Sequence, residues 1–136
     1  MSSVVLSVYD YQRLSLLVQK YKDSPFRERL ALNSLEQKLD RAVLLPPELI
    51  PPNVVTLYST VRVTDLVTRK SYQFTLVFPK ETAKGKHRIS IFAPIGIALL
   101  GERVASEVEC QAPERKVRLR IDELVFQPEA VGVLYA

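Results

Sequence analysis

The sequence predicts an α+β protein in which a short antiparallel helical hairpin precedes an antiparallel β-sheet with one short helix. Residues 8–44 contain no glycine, and their apolar side chains recur at helical spacing. Beyond residue 60 the apolar period changes to two, which is typical of strands. Four of the nine prolines lie in residues 46–52, and all four glycines lie beyond residue 84. The chain therefore divides into a predicted hairpin (1–45), a proline-rich connector (46–53) and a sheet domain (54–136).

The first predicted helix begins after a polar cap. Ser7, followed three residues later by Asp10, resembles the start of a capping box. The apolar residues that follow have a three-four-three spacing: Tyr11, Leu14, Val18 and Tyr21. This spacing places them on one face of the helix.

The second predicted helix begins at Ser24 and Pro25, which read as an N-cap and first helical position. Its apolar residues repeat the same spacing: Leu32, Leu35, Leu39 and Ala42. The turn around Asp23 is short enough to require an antiparallel hairpin, so the two apolar stripes face each other as a coiled coil. Helices of about 15 and 19 residues would span about 22 and 28 Å.

The proline pairs at 46–47 and 51–52 cannot continue a helix and favour extended backbone. Five strands follow, centred on Val61–Val63, Tyr72–Phe78, Ile89–Ile91, Val108–Cys110 and Val117–Phe126. A turn near residues 65–70 joins the first two. Between the third and fourth strands, Pro94 suits a first helical turn and Gly101 suits a left-handed C′ position.

Composition restricts the class of protein. The chain has 136 residues, 47% of them hydrophobic, a net charge of +4, one cysteine and one histidine. These numbers exclude an intramolecular disulfide and a Cys/His zinc site. The N-terminal residues do not resemble a signal peptide, and no apolar run is long enough for a membrane span. We therefore expect a cytoplasmic protein with no membrane partner, no cofactor and no small-molecule substrate.

Common catalytic motifs are missing from the sequence, which has no glycine-rich phosphate loop, no G-x-S-x-G and no H-E-x-x-H. His87 lies in a polar stretch and is expected to be an ordinary surface histidine. Cys110 lies at an apolar position of a predicted strand, which favours a buried, inert thiol. These observations argue against an enzyme.

Two basic clusters could contact phosphates or an acidic protein surface. One is a predicted loop with Lys80, Lys84, Lys86 and Arg88, and the other is a predicted sheet face with Lys116, Arg118 and Arg120. No aromatic residues alternate with these cations as stacking platforms, so solvated surfaces are favoured. Contact with nucleic acid is expected to be indirect or weak.

The hairpin tip offers a second candidate site, with Asp23, Ser24, Arg27 and Glu28. Two carboxylates there could share a divalent metal. The structural interpretation is preferred, because Asp23 suits a turn and Glu28 suits the first turn of a helix. Neighbouring cations would also compete with a metal.

The C-terminal half resembles the C-terminal domain of the bacterial Gre transcript-cleavage factors. The similar segments are RISIFAPIGIALLG at 88–101 and LRIDELVFQPEA at 119–130, in the order of that family. The segment ELIPPNVVTLYSTVRV at 48–63 is more similar to the Rnk branch, named for regulation of nucleoside diphosphate kinase. The turns at Ala105–Ser106 and 112–115 depart from the family pattern.

The resemblance implies an FKBP-like domain that docks on RNA polymerase at the rim of its secondary channel. The residues it places at the polymerase are Pro94, Ile95, Gly96, Gln127, Pro128 and Glu129. In the Gre factors a long hairpin carries an acidic tip that helps to position a catalytic metal. The shorter hairpin here predicts a binder without catalysis that competes with Gre factors.

Two alternatives remain open. A true transcript-cleavage factor would use Asp23 and Glu28 at the hairpin tip. A peptidyl-prolyl isomerase is suggested by the FKBP-like fold alone, which is a weak basis for assigning an activity.

Overall fold

A computed structural model describes residues 4–23, 26–111 and 114–134 of the chain, without the side chains of residues 26–30 and 84. The helices are α1 (Val8–Lys20), α2 (Phe26–Asp40) and α3 (Pro94–Leu99). The strands are β1 (Val5–Ser7), β2 (Val43–Leu45), β3 (Thr60–Asp65), β4 (Ser71–Val77), β5 (Arg88–Ser90), β6 (Glu107–Gln111) and β7 (Lys116–Phe126). Short 3-10 helices occupy Pro47–Leu49, Pro79–Lys84 and Glu129–Val131.

The first helix begins as predicted, because the Ser7 hydroxyl accepts a hydrogen bond of 2.9 Å from the Asp10 backbone N–H. The predicted apolar stripes of both helices face the core, and their most buried members are Leu14, Val18, Leu32, Leu35 and Leu39. The Ser24–Pro25 cap predicted for α2 lies outside the described residues. Both helices are therefore held by the apolar face that their sequence spacing predicts.

The second helix is shorter than predicted, at 15 residues or about 22 Å, and α1 has 13 residues or about 20 Å. Helix α2 ends at Asp40 because the following residues form β2 instead. Val43 N donates a 2.7 Å hydrogen bond to Val4 O, and β2 pairs in parallel with β1. The expectation of a second helix of about 19 residues was wrong, since this pairing with residues 38 positions away outweighs local helix propensity.

The main sheet has the strand order β5-β4-β3-β7-β6. Strand β3 is antiparallel to β4 and β7, and β6 is antiparallel to β7, while β4 and β5 are parallel. The parallel pair is possible because the 3-10 helix Pro79–Lys84 carries the chain back between them. Strand β7 continues to Phe126, as the alternation predicts.

One apolar core joins the inner face of the sheet to the helices. It contains Val61, Val63, Leu119 and Ile121 of the sheet, together with Leu99 and the buried leucines of the hairpin. Val4 and Leu6, which precede α1, are also fully buried in it. Gly101 adopts φ +78°, the left-handed conformation predicted for a helix C′ position.

The proline-rich segment packs onto β1. Ile50 and Val54 form a small apolar cluster with Val5, and Val5 N donates to Gly101 O at 3.0 Å. The base of the hairpin is thereby tied to the residues after α3. No helix among the described residues is both long and apolar enough to cross a membrane.

Candidate functional site

A groove of about 710 Å³ lies between α2, α3 and β6. Pro94, the first residue of α3, is exposed at its edge, and Ser34 of α2 lines the opposite side. Val108 and Cys110 contribute an apolar strip from β6, which is the strand at one edge of the main sheet. The groove is thus a concave surface at the junction of the hairpin and the sheet.

Gly96 allows α3 to pack closely against the end of β5. The glycine is buried, and a Cβ placed on it would lie 2.1 Å from Ser90 O. The backbone contact leaves no room for a side chain. Gly96 therefore positions Pro94, which is exposed, and Ile95, which is half-buried.

Lys38 fixes α2 to the C-terminal end of α3. Its Nζ donates to Ile97 O at 2.6 Å and to Ala98 O at 2.8 Å, and it lies 3.1 Å from a carboxylate oxygen of Glu102. The residue is only 3% exposed, and burial lowers the pKa of its amine to about 8. We refer to these contacts as the α2–α3 joint.

A second polar anchor lies at the start of α1. The buried carboxylate of Asp10 accepts from Arg13 at 2.7 Å and from Leu57 N at 3.3 Å. Burial raises the pKa of this carboxyl, although Arg13 opposes the shift. The Arg13 guanidinium also lies over aromatic rings, 4.1 Å from the centroid of Tyr9 and 5.3 Å from that of Phe78.

The predicted C-terminal residues of the site are largely internal. Gln127 is 3% exposed, and its Nε2 donates to Pro51 O at 2.8 Å and to Val54 O at 2.7 Å. Pro128 is buried, and the half-buried Glu129 accepts from Thr56 Oγ1 at 2.8 Å. Burial raises the pKa of Glu129. These residues connect the end of β7 to the segment before β3.

We expect Gln127→Leu to lower the free energy of unfolding by about 1–3 kcal/mol, because it leaves the buried carbonyl of Val54 without this donor. Urea unfolding monitored by circular dichroism measures the effect. Gln73→Leu is the matched control, since Gln73 is exposed on β4. Equal unfolding free energies for the two variants would contradict this role of Gln127.

The hairpin tip is described only in part. Asp23 is exposed beyond the end of α1. Ser24 lies outside the described residues, and Arg27 and Glu28 lie in α2 with side chains that the structure does not describe. Among the described residues, no group of three or more His, Cys, Asp or Glu side chains is arranged to hold a metal ion.

The basic sheet face is neutralised by neighbouring carboxylates. Arg118 lies 3.0 Å from Glu107 and 3.5 Å from Glu109, and Arg120 lies 2.7 Å from Asp122. Lys116 lies 3.8 Å from Glu109. These exposed pairs favour a solvated surface over a phosphate-binding one.

His87 and Cys110, which the sequence predicts to be an ordinary surface histidine and an inert thiol, have ordinary surroundings. His87 is exposed in the loop before β5, next to the exposed Lys86. Cys110 is half-buried, and burial raises the pKa of its thiol, which makes it less reactive.

A sequence profile described as "Transcription elongation factor, GreA/GreB, C-term" matches residues 50–124. The matched region contains α3 with Pro94 and all of the main sheet except the last two residues of β7, and it spans more than half of the chain. The chain belongs to the GreA/GreB family. The resemblance predicted from residues 88–101 and 119–130 is confirmed.

Several relatives in the family are similar over most of this chain. A protein named "Regulator of nucleoside diphosphate kinase" from Escherichia coli K12 is 33% identical over 133 residues, which cover 96% of this chain and 94% of that protein. GreA of Thermodesulfovibrio yellowstonii is 34% identical over 96 residues, covering 71% of this chain and 61% of that protein. A solved GreA/GreB structure from Nitrosomonas europaea has 36% identity and a TM-score of 0.73, covering 90% and 99% of the two chains.

Sequence reasoning did not identify Lys38 or the groove beside it. One signal was available, since Lys38 lies three residues after Leu35 and therefore on the apolar face of α2. A lysine at such a position lies either at the edge of the apolar stripe or inside the protein, where its amine is paired with acceptor groups. Only the position of α3, about 60 residues later in the chain, decides between these outcomes.

Proposed function

We propose that this GreA/GreB-family chain binds RNA polymerase at the rim of the secondary channel and regulates transcription without stimulating transcript cleavage. In this role the protein acts in the cytoplasm and competes with Gre factors for the same docking position on RNA polymerase. The observation that carries the proposal is the short hairpin, with helices of 13 and 15 residues, attached to a C-terminal domain of the family.

The lengths of the relatives support a binding role. The regulator from E. coli matches over 94% of its own length, so it shares the short hairpin region with this chain. The alignment with GreA covers 71% of this chain but only 61% of GreA, so GreA is the longer protein. A hairpin of about 22 Å is, in our proposal, too short to bring Asp23 to the catalytic metal of the polymerase.

The docking surface proposed for the polymerase is the exposed start of α3, namely Pro94 with Ile95. Gly96 positions this surface, because the absence of a side chain lets α3 approach Ser90 O closely. Gln127, Pro128 and Glu129 are proposed to take part indirectly, by holding the segment after β7 against the residues before β3, since Gln127 and Pro128 are buried. The side chain best placed for direct contact is that of Pro94, because it is exposed.

We further infer that the sheet and α3 form an FKBP-like domain, that α1 and α2 form a coiled-coil hairpin, and that residues 46–53 separate the two. The first inference is supported by α3, which packs through Leu99 into the same apolar core as the inner face of the sheet. The apolar stripes of α1 and α2, which are buried in one common core, support the second. By analogy with the E. coli relative, whose name is "Regulator of nucleoside diphosphate kinase", the proposed regulation extends to nucleoside diphosphate kinase.

Binding to core RNA polymerase tests the proposal directly. We expect purified protein to be retained by immobilised core polymerase at micromolar concentration and low salt, and to be displaced by excess GreA. No retention under these conditions would overturn the proposal. Retention that GreA does not displace would overturn the shared docking position.

Transcript cleavage distinguishes the two family activities. We expect backtracked elongation complexes to release no short 3′ RNA when this protein is added, and to release less when it is added before GreA. Release by the protein alone, lost in Asp23→Asn, would instead establish a cleavage factor. A proline-isomerisation rate above background would favour the isomerase alternative.

A further inference from the structure

Positive charge is concentrated in the segment that contains β4, β5 and α3. Residues 66–101 include six Lys or Arg residues and one acidic residue, Glu81, so their formal charge is +5. The whole chain carries +4, so the other residues are slightly acidic as a group. The net charge of the protein is therefore a property of this segment, which also contains Pro94.

Three of these cations gather at one edge of the main sheet. Strand β5 forms that edge, and the 3-10 helix Pro79–Lys84 packs against it. Lys80 and Lys86 are exposed, and Arg88 is half-buried. A Cβ placed on Gly85 would lie 2.9 Å from Arg88 Nε, so the Arg88 side chain folds back over the backbone next to Lys86. We refer to Lys80, Lys86 and Arg88 as the basic edge.

The single acidic side chain of the segment is engaged by other groups. Glu81 follows Lys80 in the sequence, but its carboxylate accepts from Tyr58 Oη at 2.6 Å and from Phe78 N at 3.4 Å. No residue of the basic edge forms an ion pair with another described residue. Within the described part of the chain, the charge of the basic edge is therefore not compensated.

The other basic cluster in the sequence differs in this respect. Lys116, Arg118 and Arg120 each lie within 3.8 Å of a carboxylate oxygen on β6 or β7. Exposed pairs of this kind satisfy one another and leave little charge for a partner. Two clusters that look alike in the sequence are thus separated by the structure, because only the basic edge keeps its charge available.

We propose that the basic edge is a second contact with RNA polymerase and binds an acidic protein surface beside the docking position of Pro94. This inference rests on the proposed polymerase binding and adds the chemistry of a second contact to it. Arg88 precedes Pro94 by six residues, so their Cα atoms are at most about 22 Å apart. A stable interface buries about 800 Å² on each partner, a patch about 30 Å across, and can therefore include both positions.

Protein carboxylates fit the basic edge better than a nucleic acid does. Single-stranded nucleic acid is typically bound by cations together with exposed aromatic side chains, on which the bases stack. Tyr72 is the exposed aromatic residue of β4, and it alternates to the opposite face of the sheet from Thr75, which pairs with Arg88. The described side chains of the basic edge thus offer charge without an exposed Tyr, Phe or Trp.

Titration of the labelled full-length protein with core RNA polymerase, over a series of salt concentrations, tests the basic edge. Lys80→Glu combined with Lys86→Glu reverses two exposed charges. We expect this variant to bind about tenfold more weakly than the parent at low salt. At high salt the charges are screened, and the affinities should agree within about twofold.

The matched control is Lys116→Glu combined with Arg118→Glu, which changes the net charge by the same amount at exposed positions of β7. We expect its affinity to stay within about twofold of the parent at every salt concentration. Thermal unfolding checks the fold of both variants. If the basic-edge variant does not fold, Lys80→Gln combined with Lys86→Gln takes its place, with an expected loss of about threefold at low salt.

The outcomes separate this inference from the proposed function. A parent protein that does not bind polymerase overturns the proposed function and the second contact with it. A parent that binds, with equal affinity in the variant at Lys80 and Lys86, overturns the second contact alone. An equal loss in the control at Lys116 and Arg118 reveals a general charge effect and has the same consequence. Single-stranded RNA that binds the parent but not the basic-edge variant, with polymerase affinity unchanged, would assign the edge to nucleic acid instead.

Discussion

Gly96→Ala is expected to lower the free energy of unfolding by about 3 kcal/mol or more. The added Cβ would lie 2.1 Å from Ser90 O, and this atom belongs to the backbone at the end of β5. Neither the added Cβ nor the backbone oxygen of Ser90 can rotate away, so α3 must move away from the sheet. Leu99 of the same helix would then lose packing in the core. Thermal and urea unfolding measure the loss.

Gly85→Ala provides the matched control for Gly96→Ala. Gly85 has an extended backbone, with φ 179°, and an added Cβ would meet only the flexible side chain of Arg88, at 2.9 Å. We expect its stability to stay within about 0.5 kcal/mol of the parent. If both alanine variants unfolded at the same urea concentration, the close approach of α3 to β5 would not be the cause.

Pro94→Glu is expected to weaken polymerase binding by more than about tenfold while leaving thermal stability unchanged. Pro94 is exposed at the first position of α3, and glutamate is also favourable at a helix N-terminus. The substitution therefore preserves α3 but places a charge at the proposed contact. Titration of labelled protein with core polymerase measures the affinity.

The control for Pro94→Glu is Val67→Glu, which adds the same charge to another exposed apolar position. Val67 lies in the turn between β3 and β4 and is 64% exposed. We expect its affinity for polymerase to match the parent within about twofold. Equal loss of binding in the two variants would indicate a general charge effect and contradict a specific contact at Pro94.

The sequence predicted the local elements because their signals lie within a few residues of each other. Ser7 caps α1 through a group three residues away, and the left-handed Gly101 ends the α3 region. The two periods of apolar residues identified helices and strands, and the segments at 88–101 and 119–130 were sufficient to identify the family.

The site was predictable only in part. Pro94 could be singled out from its motif, and the structure leaves it exposed. Gln127 lies in an equally specific motif, yet its side chain points inward to carbonyl groups more than 70 residues earlier in the chain. A motif shows that a residue is required and does not show whether packing or partner contact requires it. The polymerase-binding role of these residues therefore stays a prediction.

By itself the sequence determined the α+β fold class, the two N-terminal helices, the order along the chain of the five strands of the main sheet, and membership of the GreA/GreB family. The tertiary structure decided the parallel pairing of β1 with β2 and of β4 with β5, the early end of α2, and the burial of Lys38 against α3. Each of these depends on a contact between segments well separated in the chain, and the Lys38 contact spans 59 residues. Local propensity carries no information about such contacts, because a backbone group or a charge is stabilised by whichever partner the folded chain brings to it.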